Sequence, residues 1–170
     1  MCGLGGTVDA MDEEFKNKLL SLYPEFNRVT GPYLRKDGRK HICFNNTSLS
    51  NGDKNKKRTL SWPKALIEVR EGRRLLDDET ADHKDENFTN DSLENLQTLT
   101  RIDNIIKSFE LNPERAKDWF IGVCSICDEK FVKPMNHVKH NLKQGKSGPF
   151  CSKSCAGKWS TLQQYAGVRK

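Results

Sequence analysis

The sequence predicts an α+β fold in three segments. A helical start covers residues 1–29, a strand-rich basic middle ending in a compact strand–turn–strand–helix run covers 30–111, and a small cysteine-bearing module covers 112–170. Three observations predict this. Helical periodicity is confined to short stretches, as at Phe15, Leu19 and Leu22 or at Ile102, Ile105, Ile106 and Phe109. Turn signals such as Asp37-Gly38 separate runs of strand length. Two cysteine pairs fall where there is too little apolar material for an independent core, so a staple is expected there.

The chain has 170 residues and 19.5 kDa, enough for one medium domain or two small ones. Hydrophobic residues make up 35% and charged residues 31%, so the core can only be modest. No run of 18 apolar residues exists, which excludes a transmembrane helix. The opening MCGLGGTVDAMDEE lacks a basic start and an apolar stretch, so no signal peptide is expected and Met11 is a possible natural start. A cytoplasmic location follows, with the six cysteines reduced and metal binding as their special use.

The net charge of +6 hides a pattern. Residues 1–30 hold 3 basic and 5 acidic side chains, or −2. Residues 31–76 hold 12 and 4, or +8, residues 77–110 hold 3 and 10, or −7, and residues 111–170 hold 11 and 4, or +7. Basic flanks point to a polyanionic partner such as nucleic acid. The acidic block between them would repel that partner unless a cation sits there. The competing reading is a solvated acidic loop.

The elements follow in order. Residues 1–10 are Gly-rich and read as disordered. Residues 12–22 read as a helix ended by Pro24. Gly31-Pro32 and Asp37-Gly38 read as turns, with Tyr33-Leu34 and His41 to Phe44 flanking the second as a hairpin. Residues 45–58, NNTSLSNGDKNKKR, read as a polar loop ending in a basic cluster. Ser61 reads as an N-cap with Pro63 in the first turn, and the helix runs to about Glu71, where Gly72 stops it. Leu66 and Val69 or Arg70 fall on its successive turns. Thr80 to Lys84 reads as a short strand, Asn87 to Asn90 as a turn, and Thr100 to Phe109 as a helix broken by Asn112-Pro113. His41 and the thiols Cys2 and Cys43 carry no metal or catalytic signal.

The densest chemical signal is DHKDENFTNDSLENLQTLTRIDN, residues 82–104. Phosphodiester hydrolysis needs a nucleophilic water, neutralisation of the phosphate and help for the leaving oxygen. A neutral imidazole such as His83 can take the water's proton near pH 7. A carboxylate and an amide oxygen, such as those of Asp82 and Asn104, can hold Mg²⁺ while leaving room for waters and phosphate.

This stretch resembles the HNH endonucleases, the His-Me finger or ββα-metal nucleases. It is closest to the Asp-His variant in homing endonucleases of tailed phages. The likeness covers roughly residues 30–110 and includes the lead-in WPKALIEVREGRRLLDDETADH. The resemblance implies a small ββα-metal core in which His83 is the general base and Asp82 and Asn104 bind the catalytic Mg²⁺ (or Mn²⁺). Asn95 would brace the loop and orient His83. The spacing fits, 13 residues from Asp82 to Asn95 and 9 from there to Asn104. Two positions depart from the family pattern. Lys84 stands where an apolar residue is usual, and Glu86 where Gly makes a tight turn. A non-Gly residue at positive φ costs about 1 kcal/mol, so Asn87 is expected to take the left-handed position. Asn90 reads as a turn-former.

Cys124-Ser-Ile-Cys127 and Cys151-Ser-Lys-Ser-Cys155 have the spacing of a structural Cys₄ zinc site, with the second pair opening a helix. His137 and His140 are the rival ligands, and two disulfides the rival bonding. GPFCSKSCAGKWS resembles zinc modules attached to phage HNH proteins, which implies that this end adds DNA affinity. Its lysines offer phosphate contacts without sequence information.

Arg35, Lys36, Arg39, Lys40, Lys56, Lys57 and Arg58 sit in the predicted hairpins and loops and are the expected double-stranded DNA contacts. Arg70, Arg73 and Arg74 read equally as phosphate contacts or as helix surface. The function that the resemblance implies is a Mg²⁺-dependent HNH DNA endonuclease of the phage homing type, acting in the bacterial host cell. The single core implies a monomer that cuts one strand, with a dimer or a second binding event needed for two. The alternative, resting on Lys84 and Glu86, is a zinc-stabilised DNA-binding regulator whose core does not cut. A zinc-knuckle protein–protein adaptor is the third.

Overall fold

The computed structural model describes residues 11–47 and 57–165. Over these residues the chain is α+β, with six helices, one three-stranded sheet and two hairpins. It divides into two compact units, Met1–Thr100 and Arg101–Lys170. The Gly-rich start with Cys2, and Lys54, Lys56 and most of the polar loop over 45–58, lie outside the described residues.

The first unit opens with α1 (Glu13–Leu22), whose first turn is capped by Asp12 accepting from the Phe15 N–H at 2.7 Å. The strands β1 (Arg28–Leu34), β2 (Lys40–Asn45) and β3 (Lys57–Ser61) follow, antiparallel in that order. The Asp37-Gly38 hairpin is present between β1 and β2. Gly31-Pro32 is not a turn: it lies inside β1, where the register shifts between Thr30 and Tyr33. A strand can carry proline at such an irregularity, where no ladder N–H is needed. Lys57 and Arg58 belong to β3 rather than to a loop. That strand, KRTLS, buries only Leu60, so its sequence shows no alternation to read.

Helix α2 (Trp62–Glu71) starts at Ser61, with Pro63 in its first turn. Ser61 occupies the cap position without a side-chain capping bond, and Gly72 ends the helix at φ 67, in the left-handed region. The fully buried residues of α2 are Ala65, Ile67 and Glu68, with Leu66 and Val69 partly buried against the two apolar clusters of this unit. Leu19, Tyr23, Ile42, Phe44, Leu60 and Ala65 form the core between α1, α2 and the sheet. The fully buried Glu68 accepts the Tyr23 hydroxyl at 2.6 Å and the Leu75 N–H at 2.9 Å, and the Lys64 ammonium lies 3.7 Å away. A buried carboxylate is tolerable only with such partners. Burial and Glu68 raise the Tyr23 hydroxyl above its ordinary pKa.

A hairpin of β4 (Glu79–His83) and β5 (Leu96–Thr100) completes this unit. It is fastened to α2 by a second apolar cluster, Ile67, Leu75 and Leu96. Arg70 donates to the carbonyls of Leu93 and Leu96 at 3.1 and 3.0 Å, and Thr98 donates to Glu71 at 2.5 Å.

The second unit contains α3 (Arg101–Leu111), α4 (Pro113–Ala116), β6 (Trp119–Val123), β7 (Lys130–Pro134), α5 (Met135–Lys143) and α6 (Lys153–Tyr165). The division falls between Thr100 and Arg101 rather than at 111 and 112, because α3 packs within this unit, with Phe109 against Trp119 at 6.0 Å. The β6–β7 hairpin presents the first cysteine pair in its turn, and the second pair brackets the start of α6. Its small core is built around the thiols: Cys124, Phe131, Phe150 and Cys155. No described helix is long and apolar enough to cross a membrane.

Candidate active site and metal centre

In the β4–β5 ladder Asp82 pairs with Gln97 and His83 with Leu96. Asp82 is 9% exposed and accepts from the Gln97 side-chain amide at 2.7 Å. His83 ends β4, with its Nε2 at 3.0 Å from Oδ1 of Asp91. The other oxygen of Asp91 lies 3.7 Å from the Lys40 ammonium. Asp91 is almost fully buried and His83 nearly so, so the pair is held against water. A carboxylate only accepts, so the neutral imidazole carries its proton on Nε2 and its lone pair on Nδ1. Asp91 is the residue the sequence reading missed. It is one of ten acidic residues between 77 and 110, and nothing local separates it from the others.

The loop from Lys84 to Asn95 is cross-braced by its own side chains. The Asn95 amide donates to Asp85 Oδ1 and to the Asn90 carbonyl, both at 2.8 Å, while its oxygen accepts the Asp85 N–H at 3.1 Å. Asn90 donates to the second oxygen of Asp85 at 2.8 Å. These amides, with the Asn87 N–H, hold the Asp85 carboxyl below its ordinary pKa. Glu86 itself takes the left-handed conformation at φ 62, which corrects the expectation for Asn87. Four fixed acceptors, both Asp85 oxygens, the Asn90 carbonyl and the Asn95 side-chain oxygen, brace this turn although the residue at its left-handed position is not glycine. Lys84 points outward, its ammonium closing on the Glu94 carbonyl at 2.7 Å.

The structure places Asp82, His83 and Asn95 in one hairpin of the first unit and Asn104 on α3 of the second. Arg35, Lys36 and Arg39 are exposed around the β1–β2 turn. Arg39 lies over the Phe88 ring at 5.2 Å, and Lys40 meets Asp91, so this basic turn borders the Asp-His hairpin. Lys57 and Arg58 are exposed on β3, with Arg58 also over the Tyr23 ring at 5.0 Å. Lys56 lies outside the described residues. Arg70, Arg73 and Arg74 serve the fold. Arg73 forks onto Glu79 at 2.6 and 3.0 Å, and Arg74 reaches Glu25 at 2.5 Å and the Leu22 carbonyl at 2.6 Å. The Arg73 guanidinium holds the Glu79 carboxyl below its usual range.

The four sulfurs of Cys124, Cys127, Cys151 and Cys155 lie within 4.8 Å of one another. Cys127 to Cys151, Cys151 to Cys155 and Cys155 to Cys127 measure 3.5, 3.4 and 3.7 Å. A disulfide needs about 2.05 Å, so none is formed. Tetrahedral zinc with bonds of about 2.3 Å sets its sulfurs roughly 3.8 Å apart, so the cluster could hold a metal ion such as zinc. The Cys151 N–H, followed by those of Ile126 and Cys127, pulls the Cys124 thiol down to about 6 against the effect of burial. Amides aimed at a sulfur favour the thiolate that a metal requires. His137 and His140 lie on the exposed side of α5 and are not in the cluster.

No family model matches this chain, and no curated protein or solved structure matches it.

Proposed function

We propose that this chain is an HNH-type, Mg²⁺-dependent endonuclease acting on double-stranded DNA, with a zinc-stabilised second unit. The observation that carries the reading is the His83–Asp91 pair, 3.0 Å apart, at the end of a hairpin that also bears Asp82 and Asn95. An imidazole whose Nε2–H is bonded to a carboxylate has its orientation and tautomer set, and Nδ1 is left as the basic nitrogen.

In this reading water loses its proton to Nδ1 of His83 as its oxygen attacks phosphorus. The bond to the 3′ oxygen breaks, giving a 5′-phosphate and, after protonation, a 3′-hydroxyl. A divalent cation, Mg²⁺ or Mn²⁺, would neutralise charge on the phosphate and the leaving oxygen. Asp82 would be its anionic ligand, and the sequence resemblance alone names Asn104 as the neutral one. Asn95 keeps the loop closed behind His83. The exposed Arg35, Lys36 and Arg39 beside this hairpin grip DNA phosphates.

Nicking of supercoiled plasmid with Mg²⁺ or Mn²⁺ tests the proposal. His83→Ala should retain DNA binding and cut about 10²–10⁴-fold more slowly. Equal cutting by wild type and His83→Ala would sink it. Binding without nicking by the wild type, across metals and salt concentrations, would instead identify a DNA-binding regulator.

A further inference from the structure

The second unit holds a cavity of about 390 Å³ between α5, α6 and the strap of residues 145–150. Val138 and Leu142 face it from α5, four residues apart on one side of the helix. Ala156 and Trp159 face it from α6 at a spacing of three, with Lys153 one turn earlier. Phe150 closes the floor, its ring 5.8 Å from that of Trp159 and tilted by 42°. Gly148, at φ 120, lets the strap pass beside Phe150, because a Cβ there would stand 3.0 Å from the ring.

The lip is basic. Lys146, Lys153 and His137 line it, and no Asp or Glu is among the lining residues. Lys133 also lines it, but its ammonium donates to the Phe150 carbonyl. An apolar slot with an aromatic wall and a cationic lip suits a flat ring joined to an anion. Its volume lies in the range of about 300–1,000 Å³ typical of small-ligand sites. Every nucleobase offers a face for aromatic stacking, and lysine meets phosphate without reading sequence.

We propose that this cavity binds one unpaired nucleotide of DNA, its base against Trp159 and its phosphate at Lys146 and Lys153. Bases stacked inside a duplex cannot reach such a slot, so frayed, gapped or extruded nucleotides are selected. The segment 111–170, with 11 basic and 4 acidic residues, attracts the same polyanion. The proposal rests on the nuclease reading for the identity of the polymer, but binding at this cavity does not require cleavage.

The test titrates the zinc-loaded full chain with a 5′-phosphorylated thymidine 12-mer in Mg²⁺-free buffer, in the His83→Ala background. Saturable quenching of tryptophan fluorescence is expected. Trp159→Phe should remove most of that signal although Trp62 and Trp119 remain, while competition assays still show binding. The double variant Lys146→Glu with Lys153→Glu should bind the 12-mer at least tenfold more weakly and a blunt duplex less than threefold more weakly. Both lysines are exposed, so zinc content should stay that of the parent. Unchanged 12-mer affinity in the double variant would overturn the proposal, as would full quenching in Trp159→Phe. Displacement of the 12-mer by a Glu-rich aromatic peptide at lower concentration would do so too, assigning the cavity to a protein segment. Cutting by wild type is scored separately, so failure here and failure of the nuclease reading are distinct results.

Discussion

His83 and Asp91 form a pair whose importance lies in position. The carboxylate fixes the ring, and Lys40 at 3.7 Å steadies the carboxylate from its other side. Under the nuclease reading, Asp91→Asn should lower the cutting rate roughly 10–100-fold, the usual loss when a group orienting an imidazole is removed. DNA affinity should hold, so kinetics and a binding isotherm on the same variant separate positioning from grip. Glu86 makes the opposite case. It occupies φ 62, which costs an L-residue about 1 kcal/mol. Glu86→Gly should therefore raise the urea midpoint, by the equivalent of at most about 0.5 kcal/mol once the added entropy of glycine is counted. A lower midpoint would show that Glu86's own contacts outweigh its strain. The adjacency of Asp82 and His83 was visible in the chain, whereas Asp91 was not. A carboxylate among nine others has no local mark, and only the folding of the loop brings it to the ring.

The loop between β4 and β5 is an element stabilised by amides rather than by apolar burial. Asp85 is its hub, accepting from Asn90, Asn95 and the Asn87 N–H. Its folded pKa lies below the unfolded one, so its stabilising contribution is present above about pH 3.9 and lost as pH falls through the lower folded value. The carbon-13 titration of the Asp85 carboxyl should show a midpoint below about 3.9. In Asn95→Ala the midpoint should climb back toward that figure, and an unmoved midpoint would assign the depression to other partners. The strand–turn–strand–helix order was legible from short apolar runs and turn residues. β3 was not, because a strand that buries one side chain in five leaves no period behind. Gly31-Pro32 misled for a related reason: the pair marks broken pairing, and a bulge breaks pairing as well as a turn does.

At the level of the molecule, the two units are stabilised differently. The first has a conventional core of Leu19, Tyr23, Ile42 and Phe44, all fully buried. The second gathers Phe131 and Phe150 around cysteines. Removing metal with a zinc-selective chelator should therefore unfold the second unit and leave the first intact. In proton–nitrogen spectra the amides of β6, β7 and α6 should collapse to the random-coil region while those of α2 and β2 keep their positions. Joint loss of both sets would mean that the units fold as one.

Residue spacing alone carried the α+β class, the helices from residues 13, 62 and 101, the Asp37-Gly38 hairpin and the four-cysteine cluster. Each of these depends on neighbours a few positions away or on ligands with a required valence, so a linear pattern suffices. Tertiary packing settled the rest: the buried Glu68 beside Tyr23, the service of Arg70, Arg73 and Arg74 to the fold, and the partner of His83. These pairings join residues up to 52 positions apart. A polar side chain's role depends on which group it meets when water is withdrawn, and distance along the chain does not encode that.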